Sequence, residues 1–232
     1  LSKFNRKELL EKRLNRKLLA IVTQITQKLL VYPLYNPRGY DTVIQEAYKE
    51  YIRAVLRLGE QEIIRHPHLE LTESVIGVNK LERIIEERSF RASQKTLEHL
   101  HGEVMPRIQQ GITEGKSLGK TSKLLEKEFR DMSRGGLMRI SRTETQGVYN
   151  HSKMETMQSS TVVEYKKWVA SGLDNMRESH AELDGETVPI DEPFSNGLMY
   201  PGDETGPPEE VINCACTLVP VIKSPGKETE EE

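Results

Sequence analysis

Thr161-Val-Val-Glu-Tyr-Lys-Lys-Trp-Val169 is the stretch on which the reading of the fold turns. Val162, Val163, Tyr165, Trp168 and Val169 are β-branched or aromatic residues that suit a pleated, half-buried surface, although their alternation is imperfect. The chain before them reads as a succession of helices. Beyond them, Gly172, Gly185, Pro189, Pro193, Gly197, Pro201, Gly202, Gly206, Pro207 and Pro208 form a dense turn-forming region. It ends in Thr217 to Ile222, which reads as a final strand. The predicted architecture is a mostly α N-terminal part followed by a small α+β C-terminal module, with the switch near residue 160.

Upstream, Leu14, Leu18, Ile21, Val22, Ile25, Leu29 and Leu30 recur at three- and four-residue spacing and share one helical face. Pro33, Pro37 and Gly39 break that helix. A second begins near Asp41, a residue suited to an N-cap, with a stripe of Ile44, Ala47, Tyr48, Tyr51, Val55 and Leu58. A third covers Leu81 to Glu103 and a fourth Thr121 to Met132, carrying Leu124, Leu125 and Phe129. The pair Gly135–Gly136 is expected to separate it from a fifth, Leu137 to about Met157. Trp168 and Ile140 are expected in the core where that fifth helix meets the C-terminal module.

The 232 residues suffice for one large domain or two small ones, and 30% of them are charged. No run approaches a bilayer span, and the apolar early segment Leu18 to Tyr32 lacks the compact core and cleavage site of a signal peptide. The chain opens on Leu1 rather than Met, as a fragment or processed form would. Cys214 and Cys216 are the two cysteines, too close to form a framework, and imply a reducing compartment. Charge is unevenly spread. Residues 171–232 hold 15 acidic and 3 basic side chains, a net of −12, which leaves +9 on the rest. Residues 1–17 alone hold seven basic and two acidic side chains, so a basic arm and an acidic module meet different partners.

Several patterns invite chemical readings. Gly111-Ile-Thr-Glu-Gly-Lys-Ser117 is one residue short of a phosphate-binding loop and follows no strand, so a helix–turn–helix joint explains it better. His66 with His68, and His99 with His101, lie two apart, which on a helix turns the rings roughly 200° away from each other. Arg142-Thr143-Glu144 sits inside the fifth helix. Its plainer reading is two surface charges; its sharper one has Thr143 facing Gln146 and Gly147 while Arg142 or Glu144 docks the C-terminal module. Gly147 costs about 1 kcal/mol against alanine in a helix, which makes sense if another backbone approaches there.

The strongest site is composite: Arg177-Glu-Ser-His180, Leu183-Asp184-Gly185 and Asn213-Cys214-Ala215-Cys216. Imidazole and thiolate ligands suit zinc, and a turn-rich module with little core gains from a metal. His180, Cys214 and Cys216 are three ligands; Asp184, Asp191, Asp203 or His151 would supply a fourth. The alternative is that both cysteines are small buried residues at the start of a strand, with His180 hydrogen-bonded in a turn.

The second half of the chain resembles the phage Mu F-like head-morphogenesis (minor capsid) family. The segments that carry the resemblance are Gln110-Gly-Ile-Thr-Glu-Gly115, Arg139-Ile-Ser-Arg-Thr-Glu-Thr145 with Tyr149-Asn150, and Lys167-Trp168-Val169. They continue with Arg177 to Gly185, Val188-Pro-Ile-Asp-Glu-Pro-Phe194, Tyr200-Pro-Gly-Asp203, Gly206-Pro-Pro208 and Val211 to Leu218. Their order and spacing across residues 108–220 make it specific. The resemblance implies a portal-associated protein packaged inside the capsid, assembled in the host cytoplasm, with capsid or scaffold proteins and phage DNA as further partners and no membrane. The segments are a helical arm over 1–105, portal-associated by the resemblance, then the helical part of the family domain over 106–160 and its α+β module over 161–222, with composition giving a disordered acidic tail over 223–232. Two departures stand out: many members have Cys-x-x-Cys where this chain has Arg177 and His180, and Asn-Cys-Arg-Cys where it has Ala215. A four-ligand zinc site therefore does not simply carry over.

No complete catalytic constellation is legible, and the chain reads as non-enzymatic. The competing reading is a metal-dependent hydrolase or nuclease acting on DNA through His180, Asp184 and the cysteines. Its module carries −12 where phosphate-backbone binding wants the opposite sign. A third reading, DNA binding through the basic arm, lacks aromatic interleaving for base stacking.

Overall fold

The computed structural model describes residues 3–31, 37–67, 69, 76–103, 106, 110, 113–114, 118–174 and 176–222, with side chains described outside 3–5, 26, 29–31, 37–38 and 118–134. His68, the break at Pro33, the tail 223–232 and all but Thr113 and Glu114 of the stretch 111–117 lie outside these residues. So do the side chains of Leu29, Leu30, Leu124, Leu125 and Phe129.

Among the described residues four long helices come first: α1 (Lys3–Val31), α2 (Asp41–Ile64) after a 3-10 turn at Pro37–Tyr40, α3 (Val78–Glu103) and α4 (Leu118–Gln158). Then follow β1 (Val163–Val169), α5 (Glu178–Glu182), β2 (Thr187–Pro189), α6 (Pro208–Val211) and β3 (Thr217–Ile222). The change from helix to a small α+β module falls at the expected place. Among the described residues, no helix is long and apolar enough to cross a membrane.

One expectation fails at Gly135–Gly136: α4 runs through both without a break. The reason is a close approach in the third dimension. A Cβ on Gly136 would stand 2.2 Å from the His99 imidazole, so the missing side chain makes room for α3 rather than ending α4.

The chain forms two compact units, Leu1–Ala54 with Glu82–Glu144, and Val55–Leu81 with Thr145–Glu232. In the first, the apolar stripes of α1, α2 and α3 are buried, including Leu18, Ile25, Ile44, Tyr48 and Ile85. The Tyr48 hydroxyl, shut away from water, meets Thr96 Oγ1 at 2.9 Å. Glu144 is buried and accepts from Lys95 Nζ at 2.9 Å, while Arg142 is exposed and its charge acts on Glu8 and Glu11 of α1. Ile140 is only half-buried and belongs to this unit, whereas Trp168 is fully buried within the other.

The second unit is organised by a three-stranded antiparallel sheet in the order β2-β1-β3. Trp168 pairs with Leu218 and Lys166 with Pro220. One apolar cluster gathers Ile63, Leu69, Met154, Met157, Val163, Tyr200 and Leu218. A second gathers Trp168, Leu183, Phe194, Leu198, Cys214 and Cys216. Between helix and sheet runs a buried polar seam. Gln146, Asn150 and Lys153 lie one and two turns apart on one face of α4. Gln146 Nε2 donates to the Cys216 carbonyl at 2.5 Å, and Asn150 Nδ2 donates to the carbonyls of Pro201 at 2.7 Å and Cys216 at 2.9 Å. Thr217 Oγ1 donates to Asn150 Oδ1 and accepts from Lys153 Nζ, both at 3.0 Å; Lys153 also pairs with Glu62 at 3.0 Å. These bonds hold the chain in place where Cys216 enters β3.

Candidate metal centre

Three short pieces of the second unit meet around His180. The five-residue α5 presents the imidazole, and the turn after it is fastened to β1. There Gly185 takes a positive φ of 83° that suits glycine, its N–H donates to the Trp168 carbonyl at 3.0 Å, and Asp184 Oδ1 accepts from Ala170 N at 2.8 Å. Trp168 N in turn donates to the Glu186 carbonyl at 2.9 Å. From the other side, α6 supplies Glu210. Asn213 then takes a left-handed φ of 57°, a conformation asparagine tolerates, and turns the chain so that Cys214 and Cys216 face inward. The Arg177 guanidinium donates to the Ile212 carbonyl and ties the start of α5 to that turn.

The result brings together the residues that the sequence singled out. His180 Nδ1 lies 3.5 Å from Cys216 Sγ and 3.7 Å from Cys214 Sγ, all three residues are buried, and their ligand atoms lie within 4.8 Å of one another. Zinc bonds of roughly 2.3 Å to sulfur and 2.0 Å to nitrogen at a tetrahedral angle put N and S about 3.5 Å apart, so the spacing fits that ion. The backbone N–H of Ser171 bonds Cys216 and that of Cys216 bonds Cys214, contacts that favour thiolates.

Electrostatics sort the two thiols. Cys216 is pushed below the usual thiol range by its hydrogen bond with Cys214 and, after the opposing effect of burial, by His180. Cys214 is pushed up by sharing that bond and by burial. His180 is raised, first by Cys216, against burial. Its far nitrogen, Nε2, lies 2.9 Å from Glu210 Oε2, and the same carboxylate accepts from Ser179 Oγ at 3.2 Å. A carboxylate on the far nitrogen fixes the tautomer that leaves Nδ1 free to ligate.

The side chains offered as a fourth ligand are engaged elsewhere. Asp184 is exposed and bound to Ala170 N, Asp191 accepts from Gln158 at 3.0 Å, and Asp203 accepts from Met199 N and Thr205. His151 pairs with Glu155 at 3.4 Å and stacks on Tyr200. Glu210 and Lys153 escaped the sequence reading, and Asn150 entered it only within the family-like Tyr149-Asn150 segment. Glu210 is one of many acids in an acidic module, and no spacing marks it. The polar seam reads in sequence as a solvated helix face, because nothing local reveals that β3 covers it.

Comparison with known proteins bears on the same region. Residues 102–219 match the family described as Phage Mu protein F like protein. Over 133 residues the chain is 32% identical to an NAD(+)--arginine ADP-ribosyltransferase EFV of Enterococcus faecalis (strain ATCC 700802 / V583), covering 55% of this chain and 27% of that protein. Over 89 residues it is 36% identical to the uncharacterized protein YqbB of Bacillus subtilis (strain 168), covering 35% of this chain and 29% of that one. The chain thus spans less than a third of the length of either relative. No solved structure matches it significantly. With just over half of its length matched, including His180, both cysteines and the polar seam, the chain belongs to the Phage Mu protein F like family.

Proposed function

We propose that the chain is a minor head protein of a phage or prophage, acting in head morphogenesis at the portal and packaged inside the capsid. The family match over residues 102–219 carries the reading. The helical arm over 1–105 serves as the portal-facing part, and the acidic module lies away from DNA, since −12 over residues 171–232 opposes a phosphate backbone. That charge also weighs against the nuclease alternative. The Enterococcus relative extends far beyond the similar segment, which supports a module of this kind carrying further sequence into the head and into the cell with the DNA.

Within this role the metal centre is structural. His180, Cys214 and Cys216 would hold zinc, which supplies a cross-link between α5 and the start of β3 in a module with a small core. Two experiments test the reading. Co-expression with the portal protein of the same phage should give a complex that survives purification, and purified virions should contain the chain at low copy; a chain absent from virions refutes the function. Metal analysis should find one zinc per chain, and Cys214→Ser should release it and loosen residues 175–220 while α1 to α3 stay folded.

A further inference from the structure

The cluster has three donors, and among the described residues no fourth His, Cys, Asp or Glu joins them. One helical turn before His180, with two residues between as in paired zinc ligands, the chain has Arg177. A guanidinium has no lone pair to give a metal ion. Arg177 is held by the Ile212 carbonyl, and its charge acts on Cys214, so a fixed cation stands beside the thiol pair.

A second observation comes from Trp168. It is fully buried, shares an apolar cluster with both cysteines, and meets the His180 ring edge-on with centroids 5.3 Å apart. Among the described residues its indole N–H has no acceptor. A buried donor without a partner is destabilising, and zinc sites with three protein ligands keep a position open for a fourth from outside. Charge then selects the class of ligand. Two thiolates and a neutral imidazole around a divalent ion leave no net charge, and Arg177 adds a positive one nearby.

We propose that the His180–Cys214–Cys216 centre is an open three-ligand site whose fourth position takes one small monodentate anion from solution, favoured by the Arg177 charge and accepting the Trp168 indole N–H. This rests on the zinc reading above. It makes the centre a ligand site as well as a cross-link, with Arg177 acting through its charge and not as a ligand.

The test uses the full chain with cobalt(II) in place of zinc, titrated with azide while the visible bands of tetrahedral cobalt are followed. One cobalt should bind per chain with sulfur-to-cobalt charge transfer, and azide should shift the d–d bands saturably, one per cobalt, with cobalt retained. Arg177→Gln should keep the cobalt and weaken azide. Arg177→Cys should supply the fourth donor, keep the cobalt and abolish the azide response. Cobalt held through two sulfurs with a spectrum that azide leaves unmoved in the wild type overturns the open site and leaves the zinc reading standing. Failure to bind either metal overturns both.

Discussion

Gly202 lies so close to Gly147 that a Cβ on it would stand 3.2 Å from both the Gly147 Cα and its amide nitrogen. Two backbones touch here, the loop after Tyr200 and the interior of α4, and Gly202 also takes a φ of 79°. Gly147, unfavourable in a helix by its own propensity, is where that loop is seated. Gly202→Ala is therefore strained twice over and should cost roughly 1–3 kcal/mol of stability, read by urea unfolding. Gly39→Ala, with nothing within 4 Å of the added carbon, should be near neutral. Equal effects from the two changes would refute the close-approach argument.

Asn150 should prove harder to replace by its charged isostere than by a shorter side chain. Its Nδ2 serves two carbonyls, Pro201 and Cys216, and its Oδ1 takes the Thr217 hydroxyl. Asn150→Ala leaves those groups unpaired, at about 1–3 kcal/mol each where water cannot reach. Asn150→Asp puts a carboxylate against two carbonyl oxygens and should unfold the second unit at lower urea still. An Asp variant as stable as wild type would mean the seam is not closed to water.

Lys166 is fully buried in β1, with its Nζ 4.0 Å from Met154 Sδ and 5.3 Å from the Phe194 ring centre. Burial pushes its ammonium down to about 8, against the pull of Asp191 and Asp203. The folded value lies below the unfolded one, so between about pH 8 and 10.5 the unfolded chain binds more protons and stability rises with pH. Below pH 8 the penalty is fully present, on the order of 3 kcal/mol. Lys166→Met should raise the melting temperature at pH 7 and flatten this rise. A wild-type profile without the rise, or one that survives in the variant, would count against the buried cation.

Glu210 should control how tightly His180 holds a metal ion while touching none itself. Glu210→Ala should weaken zinc binding about 10–100-fold, measured by competition with a chelator, and Glu210→Gln, whose amide oxygen still accepts from Nε2, should recover most of the loss. If Ala and Gln behave alike, the carboxylate acts by charge alone and not by holding the tautomer.

The helical half and the change from helix to strand near residue 160 were legible because apolar spacing is local, and so was the function of Gly147, since a glycine costly to its helix implies a neighbour. The meeting of His180 with Cys214 and Cys216 followed from their soft-ligand chemistry together with the turns that separate them. What failed was non-local. Gly135–Gly136 looks like a helix break unless His99 is known to be opposite. Gln146, Asn150 and Lys153 look solvated unless β3 is known to cover them, and Asp184 looks like a ligand until Ala170 N claims it.

The polar seam also orders events at the ribosome. Gln146, Asn150 and Lys153 are translated well before Cys216 and Thr217, the partners that follow 64 to 70 residues later. During that interval the nascent helix carries two side-chain amides whose Cys216 acceptor is still to come, beside apolar Met154 and Met157 that water does not suit. Contacts so far apart in the chain form late, so α4 waits half-dressed for β3, and translation of that strand releases the module to close.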